Sequence, residues 1–559
     1  MRELAEQGSD MSWSRRAFGQ AALAALAGCG VRTPDLIIHG GPIYTGVAAQ
    51  PRIEALRIRN GLIAFAGALE EARSGARGAR EINLNGAAAF PGFTDAHVHL
   101  TGVGMTSMRL DLTGVASLAA LQESLRNYAA AHPEGVIVGR GWIETHWPER
   151  RFPTRADLDA VVSDRPVFLE RIDGHAAVVN STALALARID GNIPDPAGGR
   201  IERDASGAAT GMLIDNAMAL VERALPAATP AMLREALRAA AQLYASRGWV
   251  GVCNMSTSAD EAALFRELSA AGELPLRADL YLQPEAAEFA AAQQAARDSN
   301  VRIRGVKLYM DGALGSRGAA LLAPYSDAPN TSGLLVTPLE ELREHLRRAR
   351  SARYQVATHA IGDRGNRLVL DAFRDAFADD PDALRAARWR IEHAQVIAPE
   401  DIPRFGAMGV IASMQPSHAI SDLHFAPARL GRARLAGAYA WRALLESGAV
   451  IAAGSDAPVE KGDPLIEFYA AAHRHDLSGF AGPDWALDQA VSREDALRML
   501  TWGPAFAVFE DAERGTLEAG KRADVSAFSA DLMTAELADI PTAQAVLTVS
   551  GGAITHEAL

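Results

Sequence analysis

Two histidines two residues apart, His97 and His99, close the run Phe90-Pro-Gly-Phe-Thr-Asp-Ala-His-Val-His-Leu100. On an extended strand, residues i and i+2 face the same side. Both imidazoles can therefore reach one metal ion at nitrogen–metal distances of roughly 2.0–2.1 Å. Four more side chains of ligand type stand in or at the ends of other short apolar runs: Lys307 within Val301–Met310, His359 ending Tyr354–His359, His393 ending Trp389–His393, and Asp456 ending Ala449–Asp456. Singly, each has an ordinary structural explanation. A histidine can be buried and hydrogen-bonded, a lysine ion-paired, and Asp456 a helix cap ahead of Pro458. Jointly they form a nitrogen and oxygen donor set that suits a divalent metal, with zinc the default. Metal-assisted hydrolysis is the chemistry such a set supports.

These groups need a scaffold that brings distant strand ends together. Helical patterns from Pro338 to Ala352 and from Asn366 to Ala378 alternate with the apolar runs, which predicts a parallel α/β sheet. In a (β/α)8 barrel, the C-terminal strand ends converge on one site. The predicted barrel spans residues 91–510. The long interval between His99 and Val250 predicts an insertion over about 100–245 that shapes specificity. Residues 34–90 and 511–559 both read as short strands separated by turns such as Asn60-Gly61. They predict a small discontinuous β-sandwich built from both chain ends.

The 559 residues are 49% hydrophobic and 22% charged, ordinary values for a globular chain. A formal net charge of −13 argues against nucleic-acid partners and leaves a small-molecule substrate; a homodimer is compatible. Only two cysteines occur, Cys29 and Cys253, so no disulfide framework is expected. Cys253 reads as a core residue, because no assigned base accompanies it. At the N-terminus, Arg15-Arg16 precedes a short apolar run ending Leu26-Ala-Gly-Cys29. That run is too short to span a bilayer and reads as an export signal over residues 1–33. The arginine pair resembles the twin-arginine type. Leu26–Cys29 resembles a lipobox, which implies lipidation at Cys29 and a periplasmic, membrane-anchored protein. Simple cleavage near the same place is the alternative, and Met11 is an alternative start.

The segments Pro91-Gly-Phe-Thr-Asp-Ala-His-Val-His99, Lys307-Leu-Tyr-Met-Asp-Gly-Ala-Leu-Gly-Ser-Arg317, Thr358-His-Ala-Ile-Gly-Asp363, Arg390-Ile-Glu-His-Ala394 and Gly454-Ser-Asp-Ala-Pro458 together resemble the amidohydrolase superfamily. More narrowly they resemble its family 3 or YtcJ-like branch, which includes N-substituted formamide deformylases. The resemblance implies that His97 and His99 hold one metal and that His359 and His393 hold a second. It implies that Lys307 reacts with carbon dioxide to give a carbamate bridging two zinc ions. It implies that Asp456 ligates the first metal and shuttles protons during hydrolysis of a C–N bond. Lactone or ester hydrolysis, isomerisation or decarboxylation on the same site is the alternative, and a non-enzymatic ligand-binding lipoprotein a further one. Branch-like motifs also mark Trp142, Arg171, His175 and Arg317 as substrate-facing residues. His175 is a candidate donor to the substrate carbonyl, or a structural histidine clustered with Arg171 and Asp173. Arg317 would recognise a substrate carboxylate, or pair with Asp311 or Asp363.

Overall fold

Short runs of β-branched and apolar residues become strands in chain order. Five precede the barrel: β1 (Leu36–Tyr44), β2 (Arg52–Arg59), β3 (Leu62–Gly67), β4 (Arg80–Asn83) and β5 (Ala88–Pro91). β6 (Phe93–Val98) is the first barrel strand. Then come β7 (Leu110–Asp111), β8 (Ile137–Trp142), β9 (Val167–Arg171), β10 (Ala176–Val179), β11 (Gly199–Arg203) and β12 (Ala209–Asp215). The barrel resumes with β13 (Trp249–Thr257), β14 (Arg277–Leu282), β15 (Val301–Tyr309), β16 (Gln355–Ala360), β17 (Arg390–His393), β18 (Ile411–Met414) and β19 (Ile451–Ala453). The chain ends with β20 (Val525–Phe528), β21 (Ala545–Ser550) and β22 (Ala553–Glu557). This computed structural model describes residues 35–559 apart from 145–146, 172–175, 191–192, 197–198, 227, 287–299, 316 and 483–484. The segment expected to be an export signal, Cys29, Asp173 and His175 lie outside the described residues.

The barrel strands run in the order β19-β18-β17-β16-β15-β14-β13-β6, and every pairing is parallel. Parallel strands covered on both faces are apolar throughout, and β6, β14 and β17 are buried at every position. Helices Leu339–Ala352 and Asp363–Ala376 follow the predicted patterns to within a few residues. The seam between β19 and β6 is held at its C-terminal end. Asp456 N donates to His97 O at 2.7 Å, and His99 N donates to Ala457 O at 2.9 Å. Ser455 N donates to Asp95 Oδ1 at 2.9 Å. Gly454 permits this closeness, since a Cβ there would lie 2.3 Å from His97 N. Beneath, at the opposite end, Arg514 reaches back to β6 through Thr94 Oγ1 at 2.9 Å and pairs with Glu510 at 2.6 Å.

The strands from the two chain ends join one eight-stranded sheet, ordered β22-β21-β20-β5-β1-β2-β3 with β4 beside β1. Apolar residues from both chain ends, among them Ile38, Leu56, Val525 and Leu547, share one core within it. The sheet is continuous because β20 pairs antiparallel with β5, placing Val525 opposite Pro91. Asn60 and Gly61 turn β2 into β3 with φ of 53° and 78°, the left-handed pair that a tight hairpin requires. Strands β7 to β12 form a separate six-stranded sheet, entered after β6 and left before helix Pro230–Ser246. No helix among the described residues is long and apolar enough to cross a membrane. Cys253 is buried in β13, and burial pushes its thiol up to about 12. A buried thiol raised in this way is a poor nucleophile.

Candidate metal centre

Five barrel strands deliver side chains to one point at their C-terminal ends. β6 supplies His97 and, one residue beyond it, His99; β15 supplies Lys307, β16 His359 and β17 His393. Asp456 stands three residues past β19. Donor atoms of His97, His393 and Asp456 all lie within 4.8 Å of one another. His97 Nε2 and His99 Nε2 sit 3.3 and 3.4 Å from Asp456 Oδ1. Lys307 Nζ is 3.3 Å from His97 Nε2. The His359 and His393 rings meet edge to face, 4.5 Å between centroids. All six predicted ligand positions thus converge at one end of the barrel, His99 being a third exposed.

Two of these positions depend on unusual backbone. His393 has φ of +73° and Asp456 +56°. Such values are uncommon for residues with a Cβ and cluster at functional sites. On a regular strand Glu392 and His393 would face opposite sides. The positive φ turns His393 inward, so both neighbours face the centre.

A surrounding layer of hydrogen bonds orients the ligands. Glu392 Oε2 accepts from His97 Nδ1 at 2.6 Å, and both groups are fully buried. Gln415 Oε1 accepts from His393 Nδ1 at 2.8 Å. With Nδ1 donating, each neutral ring keeps its lone pair on Nε2. That is the tautomer and orientation a metal needs, and acceptors of this kind characterise metal-ligating histidines. Glu392 is in turn gripped by Arg390, whose Nη2 donates to Glu392 Oε2 at 3.0 Å and to Ala96 O at 2.6 Å.

Electrostatics agree with a donor set kept unprotonated. Burial, with Lys307 nearby, lowers His97 to about 4 and His359 to about 3. Burial also takes His393 well below its usual range. Burial lowers the Lys307 ammonium to about 8, although Glu392 and Asp456 pull the other way. Burial opposes ionisation of Asp456, but His97 and the other facing imidazoles outweigh it and hold the carboxyl well below the usual range. An ammonium offers no lone pair, so Lys307 fits a metal site only in another chemical form.

Other expected residues are engaged by the protein itself. Trp142 has no exposed surface, donates through Nε1 to Leu169 O at 2.9 Å, and packs with Trp147 and Leu158 in the insertion. It is a core residue with no face left for substrate. Arg171 Nε donates to Glu144 Oε2 at 2.9 Å. Arg317 pairs with neither Asp311 nor Asp363. It clasps Asp327 at 3.1 and 2.8 Å, an acid ten residues on that forms part of the same loop. Asp311 instead accepts from Ala320 N, Ile361 N and Gly362 N at 2.7, 2.9 and 2.9 Å. It thereby ties the loop after β15 to the one after β16. Sequence reasoning missed Glu392, Gln415 and His418. Glu392 stood in plain sight beside His393, while Gln415 and His418 fall just after an apolar run, Val410-Ile-Ala-Ser-Met414, that was not singled out.

The amidohydrolase family profile matches residues 80–556. YtcJ of Bacillus subtilis (strain 168) is 34% identical over 529 residues, 93% of this chain and 99% of that protein. N-substituted formamide deformylase of Arthrobacter pascens is 28% identical over 548 residues, 94% and 98% of the two chains. The crystal structure of an uncharacterised metal-dependent hydrolase from Pyrococcus horikoshii OT3 superposes with a TM-score of 0.77 at 28% identity, covering 90% of this chain and 99% of that one.

Proposed function

The chain belongs to the amidohydrolase family, and from that premise we propose that it hydrolyses an amide or N-formyl bond of a small molecule with the aid of divalent metal. The observation that carries this reading is the convergence of His97, His393 and Asp456 donor atoms within 4.8 Å, two of them held in the ligating tautomer by Glu392 and Gln415. The name of the Arthrobacter pascens relative points to N-formyl compounds as the first substrates to try.

His97, His99 and Asp456 would hold one ion, and His359 and His393 a second. Lys307 as a carbamate would supply oxygens to both, which converts an unfitting cation into a fitting anion. When bound, zinc supplies Lewis-acid chemistry that makes a water nucleophilic near neutrality and polarises a carbonyl. Asp456 takes a proton from the attacking water and returns it to the leaving nitrogen, base first and acid second. Its ionised state and its place against His97 and His99 suit that role. We also propose that residues 1–33 direct export and that Cys29 carries a lipid anchor.

The test is metal content per protomer in protein lacking residues 1–29, prepared with zinc and bicarbonate, for wild type and Lys307→Ala. Two equivalents in wild type falling to one or none in the variant are expected, together with turnover of N-formyl or N-acyl amines by wild type alone. Protein that holds no metal would sink the hydrolase reading.

A further inference from the structure

The turn after β18 carries a group that the reading above leaves unused. His418 lies in helix Pro416–Asp422, three residues after the glutamine that orients His393. It is 7% exposed, and its ring stacks on His393 at 5.9 Å with 19° between the planes. Gln395 Nε2 donates to His418 Nδ1 at 3.0 Å. Gln395 is buried too, and Tyr439 N donates to its main-chain carbonyl at 2.6 Å. With Nδ1 accepting, the proton of the neutral ring resides on Nε2. That Nε2 has no hydrogen-bond partner. It stands 3.7 Å from Asp456 Oδ2, beyond hydrogen-bond reach.

A buried donor left unpaired costs about 1–3 kcal/mol, so each one asks for an explanation. Here the donor is immobilised on both sides, by the His393 stack and by Gln395. It lies 3.7 Å from Asp456 Oδ2, on the carboxylate proposed to move protons. Fixed donors at the place where negative charge develops are what acyl-transfer sites require.

We propose that His418 is a catalytic residue that donates its Nε2–H to the carbonyl oxygen of the substrate as negative charge builds there. Gln395 is its positioning residue and fixes the tautomer. This rests on the hydrolase reading and assigns to that site a donor from the seventh barrel strand. It gives His418 the part expected of His175 from sequence. No proton leaves His418 in this role; the hydrogen bond only strengthens.

Two measurements on zinc-loaded protein test it. Histidine-selective 15N labelling with long-range 15N–1H correlation reads the tautomer, and His418→Asn assigns the signal. Nε2–H is expected in wild type, and Nδ1–H in Gln395→Glu, whose carboxylate accepts where the amide donated. An Nδ1–H tautomer in wild type overturns the proposal, whatever the enzyme hydrolyses. On the N-formyl or N-acyl amine that wild type turns over best, His418→Leu should lower kcat by about 10²–10³-fold, with KM and zinc content unchanged. His418→Asn, which keeps an N–H, should recover part of that loss. Loss of zinc along with turnover in His418→Leu, or unchanged kcat, overturns the assignment. Failure of the hydrolase reading itself looks different: wild type turns over nothing while the tautomer stays as described.

Discussion

Replacing Glu392 by leucine separates two roles that one carboxylate performs. Glu392 accepts from His97 Nδ1 at 2.6 Å and faces the Arg390 guanidinium, with all three side chains inaccessible to solvent. Removing one partner of a buried pair strands the other charge and costs about 3–5 kcal/mol. Removing the acceptor behind a ligating histidine lowers metal affinity by about 10–100-fold, or about 1.4–2.8 kcal/mol at 1.4 kcal/mol per decade. The double variant Arg390→Met, Glu392→Leu distinguishes these effects. It removes the stranded guanidinium, and what remains is Ala96 O, which loses its donor at 2.6 Å, and Ser413 Oγ, which loses the same donor but whose hydroxyl can rotate. An unsatisfied carbonyl costs about 1–3 kcal/mol, so the double variant should recover about 2 kcal/mol of the stability lost in the single one. Metal affinity should not recover, because His97 still lacks its acceptor. Thermal unfolding of chelator-treated protein reads the first quantity, and zinc competition against a chromophoric chelator reads the second. Wild-type zinc affinity in the double variant would refute the claim that Glu392 acts on the metal through His97.

The metal-free protein should be acid-sensitive. His97 and His359 titrate near 4 and 3 in the fold against 6.5 in the open chain, so between those values the unfolded chain binds more protons. Stability is then full above pH 6.5 and falls as pH drops toward 4. Unfolding midpoints of chelator-treated protein across that range should show it, and a His97→Asn, His359→Asn variant should give a flatter profile. Trp142→Ala should destabilise by about 3–5 kcal/mol, as expected for emptying a buried aromatic site, with zinc content unaltered. A clear change in KM on any substrate with stability intact would return Trp142 to the substrate-binding residues.

The ligand set was legible because it follows from period and chain direction. His97 and His99 share a face through the two-residue repeat of a strand, and apolar runs ending in polar residues marked where strands stop. The Arg390-Ile-Glu-His393 stretch was legible only in part, for the same reason. Alternation assigns Glu392 and His393 to opposite faces, and nothing local in a histidine announces the φ of +73° that brings both inward. That φ is imposed by the neighbours: Ala394 N donates to Ala360 O at 3.1 Å, and His393 bonds Gln415. Trp142 misled in the opposite way. An aromatic near a strand end reads as a substrate wall, but Trp142 ends a strand of the inserted sheet, where the C-terminal edge belongs to a different core. Arg317 found its acid ten residues on because loop geometry, rather than motif spacing, decides which carboxylate a long guanidinium meets.

The arrangement also indicates where specificity is encoded. The ligands and the groups behind them, Glu392, Gln415 and Arg390, are buried at 4% exposure or less apart from His99, His359 and Asp456. A substrate can touch only what those exceptions and the loops above them present. His99 leads directly into helix Leu100–Ser107 and then the six-stranded insertion, so the insertion is joined to the most exposed ligand, one third accessible. Exchanging barrel-interior residues with a relative should therefore change metal retention and stability. Exchanging the insertion should change which amide is hydrolysed, with metal content unaltered. A chimera of this barrel with a relative's β7–β12 sheet that kept the parent substrate preference would place specificity instead in the loops after β15 and β18, where Arg317 and His418 lie.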